Sequence, residues 1–221
     1  MICIQQGLVH DAVHPTPYIA DVLCSDEGKI VAVGENLDIP AYCTVIDAAG
    51  RNVYPGFVEA HCHLGMEEHG IGFEGDDTNE CTDILTPHLR AIDAINPMDP
   101  TFREAALAGV TSVCTGPGSA NVVGGTFAAV KTVGRRIDDM IIRDAAAMKC
   151  AFGENPKRVY KEKCNDSRMA TAAHLRGLLL RARDYDERLR QAGDDVSKRP
   201  AYDMKLEAML PVLHGEMPLK A

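Results

Sequence analysis

The chain has 221 residues, with 23 Lys and Arg against 32 Asp and Glu, a net charge of -9. That acidic balance argues against a nucleic-acid partner, and the lack of any run of about 18 apolar residues argues against a membrane partner or span. Hydrophobic residues make up 46% and charged residues 25%, the balance of a chain that can bury a core. The opening residues carry neither a basic stretch nor an apolar run of signal-peptide type, so a cytoplasmic location is expected. Cys3, Cys24, Cys43, Cys62, Cys81, Cys114, Cys150 and Cys164 are scattered without any Cys-x-x-Cys spacing, as reduced core residues are.

In chain order, 19–24 and 29–33 read as two strands joined through the turn 25–28, and 44–46 supplies another. No segment in the first fifty residues has a 3.6-residue period. Residues 1–53 are therefore expected to form a small β-domain without chemistry of its own, and 54–221 a second unit.

From Tyr54 strands alternate with helices. The apolar approach Val53, Tyr54, Phe57, Val58 and Ala60 reads as a buried strand that ends at His61, Cys62 and His63. Residues two apart on a strand share a face, so the two imidazoles are placed to close on one metal ion. The six acids between Met66 and Glu80 suggest either a lid or solvated surface, with surface favoured. Asp99, Pro100 and Gly109 bracket a helix, followed by a buried strand at 110–115. The turn 116–125 lacks the Lys-Ser/Thr ending of a phosphate loop; either Ser119 or Asn121 meets substrate there or the segment is a tight turn that merely needs its glycines. A helix is expected over 126–133, short strands at 140–143 and 146–152, and longer helices over 167–191 and 202–213, the last disturbed by Pro211. His88, His174 and His214 have no paired spacing and are assigned no function. Such alternation argues for an α/β protein with a parallel sheet.

The run VIDAAGRNVYPGFVEAHCHLG at 45–65 resembles the first-strand signature of the amidohydrolase superfamily, in particular imidazolonepropionase and the metal-dependent Xaa-Pro dipeptidases. Glu59 and Cys62 depart from that pattern without touching the two histidines. The resemblance implies the amino-terminal part of a (β/α)8 TIM barrel beside a β-sandwich-like domain built from both chain ends. It also implies one or two divalent metals, Zn2+ or similar, and a metal-bridging residue on the fourth strand, for which Lys149 and Glu154 are rivals. Glu154 is favoured as ligand and catalytic residue because Asn155 and Pro156 are expected to cap and open a helix just after it, whereas Lys149 has the opposite strand parity.

The function implied is hydrolysis of an amide or cyclic-amide C–N bond in a small molecule by metal-activated water. A full barrel takes about 250 residues, so roughly five strands are expected here, with later ligands and a proton shuttle lying beyond Ala221. The alternative is an inactive metal-binding fragment, or half of an assembly completed by a second chain; a homo-oligomer also stays open.

Overall fold

The computed structural model describes residues 1–69 and 71–221, which form two compact units, Met1–Phe57 and Val58–Ala221.

The first unit is a five-stranded sheet of β1 (Ile2–Val9), β2 (Tyr18–Cys24), β3 (Ile30–Gly34), β4 (Thr44–Asp47) and β5 (Asn52–Val53), in the order β3-β2-β1-β4 with β5 also on β1. β1 and β2 are antiparallel, while β4 and β5 run parallel to β1. The sequence expectation of a β2–β3 hairpin holds, its turn closed by Ser25 N to Lys29 O at 2.8 Å. A bulge in β1 between Ile4 and Gly7 is fixed by the buried Asp21 carboxylate, which accepts from Gln6 N at 2.8 Å and Leu37 N at 3.2 Å. Val9, Ala20 and Val22 form its small core.

The second unit is built on a sheet in the order β10-β9-β8-β7-β6. Its strands are β6 (Phe57–Cys62), β7 (Val110–Thr115), β8 (Val123–Lys131), β9 (Ile141–Cys150) and β10 (Leu219–Lys220). The helices are α1 (Pro100–Leu107), α2 (Ile137–Met140), α3 (Glu154–Tyr160), α4 (Arg168–Ala192) and α5 (Met204–Leu213). α1 begins as expected, with the Asp99 carboxylate accepting from Thr101 N at 2.9 Å. α4 is capped by Ser167 and stopped at Gly193, and α5 carries Pro211 inside it.

Three expectations need correction. Residues 126–133 are not a helix but the greater part of β8, which runs antiparallel to both β7 and β9, so the sheet is mixed rather than parallel. Burial explains this: eight of the nine residues of β8 are not exposed, and a segment covered on both faces is held by its ladder partners rather than by the helix propensity of its alanines. The two short strands at 140–143 and 146–152 are one continuous strand, β9. β6 is not buried; as an edge strand with β7 as its partner it leaves Phe57 56% and Val58 71% exposed.

The core lies in two clusters. One joins Val122, Val123 and Met148 of the sheet region to Leu178 and Ala182 of α4 and Met209 of α5. The other packs Phe102 of α1 and Met140 of α2 against Val113, Ala128 and Val130. Together they fix where the strands end, which is what positions the site.

Candidate metal centre

His61 and His63 stand at the carboxyl end of β6 with ring centroids 5.7 Å apart and planes at 89°. His61 packs edge-on to Phe127 of β8 at 5.1 Å. His63 Nδ1 is 2.7 Å from Gly116 O. A carbonyl only accepts, so this nitrogen carries a proton and Nε2 is the nitrogen left to face a metal, which is how metal-ligating imidazoles are oriented. Burial first, then the charges of Lys149 and Lys220, hold the His61 imidazole below its ordinary 6.5, toward the neutral form a metal needs. Glu59 accepts from the backbone N of His61 at 2.9 Å, so it steadies the strand end rather than an imidazole ring.

Lys149 is the next-to-last residue of β9, paired with Gly125 of β8 on one side and Lys220 of β10 on the other. It is 2% exposed, and no acceptor is bonded to its amine among the described residues. Burial pushes its pKa below the usual 10.5; Cys150 opposes the shift and Lys220 adds to it. An unpaired, largely desolvated amine is unstable as an ammonium and is a free nucleophile as the neutral base.

Glu154 sits differently. It is the first residue of α3, with Gly153 as N-cap in place of the expected Asn155, and its side chain is 68% exposed. Its carboxylate is tied to Arg168 and, at 3.7 Å, to Lys157. Glu154 and Lys149 line one cleft of about 480 Å³ together with Ser119 and Phe152, but Lys149 is the one whose charge reaches His61. Among the described residues no three His, Cys, Asp or Glu side chains converge on a point.

The sequence reading did not single out Lys220. Its Nζ lies 5.1 Å from the Phe127 ring centroid and donates to Ala60 O, so the two edge strands β10 and β6 meet across a curled sheet. No local pattern could reveal a contact between residues 160 positions apart.

The loop after the histidines is pinned rather than lid-like: Asp77 N bonds Met66 O at 2.9 Å and Asn96 Nδ2 bonds Glu68 Oε1 at 2.9 Å. Gly70, within this loop, lies outside the described residues. Asn121 is buried and serves the loop, not substrate, donating to the carbonyls of Glu80 at 2.7 Å and Asp83 at 2.8 Å. The Tyr160 hydroxyl lies 2.8 Å from the same two carbonyls. His174 and His214 bond the Cys164 carbonyl and the Asp186 carboxylate, away from the centre.

Tyr160→Phe is therefore expected to destabilise the chain by about 0.5–1.5 kcal/mol, measured by urea unfolding, because the one hydroxyl proton shared between these two part-buried carbonyls is lost while Asn121 remains. Burial raises the phenol above its ordinary 10.0. As pH rises through 10, the unfolded chain loses this proton while the folded one keeps it, so parent stability falls; the Phe variant should lack that part of the fall. Identical alkaline curves for the two proteins would contradict this reading.

No family model matches the chain. A crystal structure of an amidohydrolase from Thermotoga maritima MSB8 is 38% identical, superposes with a TM-score of 0.92, and is matched by all of this chain over 58% of its own. Amidohydrolase tasK of Hapsidospora irregularis is 32% identical over 229 residues, covering 92% of this chain and 23% of that protein. An imidazolonepropionase from Streptomyces griseus subsp. griseus is 40% identical over 74 residues, covering 34% of this chain and 15% of that one. The chain spans about a quarter of the first relative and little more than half of the Thermotoga structure. The chain belongs to the amidohydrolase superfamily.

Proposed function

We propose that the protein carrying this chain is a metal-dependent hydrolase of amide or cyclic-amide C–N bonds in small molecules, with His61, His63 and Lys149 as ligands. The observation that carries the reading is the buried Lys149 residue, whose amine bonds no acceptor among the described residues, on the same sheet as the His61 and His63 pair. The relatives' names support the reaction class. On the same reading the curled sheet is the first part of a barrel that departs from regular (β/α)8 order at the antiparallel β8, and the remaining ligands and the proton shuttle would come from residues outside this chain. Eight unpaired cysteines fit a cytoplasmic setting, and no helix among the described residues is long and apolar enough to cross a membrane.

A divalent ion such as Zn2+ held there would supply Lewis acidity and a water whose pKa falls from about 15.7 toward 7. The chain's own residues prepare for it. Gly116 O accepts from His63 Nδ1, and desolvation with the Lys149 and Lys220 charges lowers the His61 pKa, which favours its neutral form. The Lys149 amine, neutral when desolvated, adds to CO2 through a new N–C bond and releases one proton. The resulting carbamate is an anion with two oxygen donors, a ligand type that neither lysine nor the imidazoles provide. Glu154, tied to Arg168 at the rim, is left the lesser role of lining the cleft.

Metal analysis of the parent against H61A/H63A tests this directly. The parent should retain metal after exhaustive dialysis and the double variant should not; equal content in both would refute the site. A panel of cyclic amides and dipeptides on the complete protein then identifies the substrate class.

A further inference from the structure

Three strands separate β6 from β10, yet Lys220 of β10 bonds the Ala60 carbonyl of β6. Its half-buried side chain crosses the concave face, and its ammonium sits over the same Phe127 ring that His61 meets edge-on. Ala60 directly precedes His61, so whatever holds its carbonyl holds the backbone that presents the imidazole. In the β9–β10 ladder Lys220 is also the register partner of Lys149, so the two lysines are neighbours on adjacent strands. One side chain is thereby connected to both halves of the centre: by hydrogen bond to the histidine strand and by strand pairing to the lysine strand.

We propose that Lys220 is a positioning residue for the metal centre, a strut that draws the His61 and His63 end of β6 toward β9 so that imidazoles and amine face one site. The proposal rests on the metal-centre reading. It follows from reach and chemistry. Among the described residues β7 is the ladder partner of β6, and Lys220 is the side-chain tie that reaches β6 from β10. A charged donor on a four-carbon stem is what spans the curl, the stem covering apolar surface and the ammonium making a charge-assisted bond over an aromatic face. Methionine would keep the stem and lose the bond; arginine would keep the charge, the reach and the ring contact.

The test uses the full chain with Co2+ as the probe, whose visible absorption reports ligand geometry, together with hydrogen exchange over residues 57–66. Lys220→Met should bind Co2+ about tenfold more weakly, the scale on which partners that orient ligands act, with a shifted absorption band. Exchange over 57–66 should quicken about tenfold while the α4 amides keep the parent rate. Lys220→Arg should recover most of the affinity and the protection. Parent-like affinity, spectrum and exchange in Lys220→Met would overturn the strut. A parent that binds no Co2+ would overturn the metal-centre reading instead, and exchange over 57–66 would still decide whether Lys220 holds β6. Should Lys220→Met fail to fold, Lys220→Gln, a donor too short to reach Ala60, carries the same comparison.

Discussion

Replacing Lys149 by methionine is expected to weaken divalent-metal binding by at least about 100-fold, since losing a ligand exceeds the 10–100-fold that outer partners of a ligand cost. The same change should leave the metal-free chain folded and more stable. The parent buries Lys149 to 2% residue exposure with no acceptor bonded to its amine among the described residues, and methionine fills a similar volume without a charged atom to desolvate. A gain of about 1 kcal/mol would raise Tm by about 2–4 °C. The pH dependence carries its own sign. The folded amine is lowered from 10.5, so between its folded value and 10.5 the unfolded chain binds the extra proton and parent stability rises with pH. The methionine variant should show no such rise. Bicarbonate supplies the second check: added to the buffer, it should increase metal uptake by the parent and leave the variant unaffected. Glu154→Gln is the discriminating partner experiment. An exposed carboxylate tied to Arg168 should change metal content not at all and stability by less than about 0.5 kcal/mol. Metal lost from Glu154→Gln and kept by Lys149→Met would transfer the bridging role to Glu154.

Where the chain writes its structure in local chemistry, the sequence was enough. Asp99, Pro100 and Gly109 bracket α1, Ser167 and Gly193 bracket α4, and the turn at 25–28 joins β2 to β3. β8 was not legible because its alanines and Lys131 favour helix locally, and what decides against it is the ladder to β7 and β9, which no local window contains. Reading a helix there also made the sheet look parallel, since an antiparallel strand between two others removes one crossover.

The histidine pair was legible for a plain reason: a period of two and a position at a strand tip are both visible in twelve residues. Where Lys149 and Glu154 stand relative to the strand tip was not. Parity counting took β9 as regular and Glu154 as its end, but β8 and β9 shift register between Val123 and Gly125 and again near Ala129, and the strand stops at Cys150. Lys149 is thus beside the tip rather than deep in the sheet, and Glu154 has already left the strand for α3. Bulges are set by glycine and by neighbouring chain, so their effect on parity appears only once the strands are paired.

Gly125 is where that dependence is most exposed to test. Its φ is +113°, and a Cβ added there would lie 2.5 Å from Leu89 O and 3.0 Å from Leu89 C, backbone atoms with no side chain to swing away. The same Leu89 carbonyl accepts from Thr126 N at 2.9 Å, and Gly125 is the register partner of Lys149. Gly125→Ala therefore forces a strained backbone and displaces a hydrogen-bonded segment, each costing about 1–3 kcal/mol. We expect a loss of about 3 kcal/mol and a Tm lower by about 6–12 °C. Gly28→Ala separates the two causes, because Gly28 also has positive φ, +73°, but nothing within 4 Å of its added Cβ. That variant should lose about 1 kcal/mol, the strain alone. Equal losses at the two positions would mean that Leu89 yields freely and that the β8 bulge does not hold Lys149. A larger loss at Gly125, accompanied by weaker Co2+ binding in whatever fraction remains folded, would tie the metal centre to a clash between two backbones on the far side of the strand.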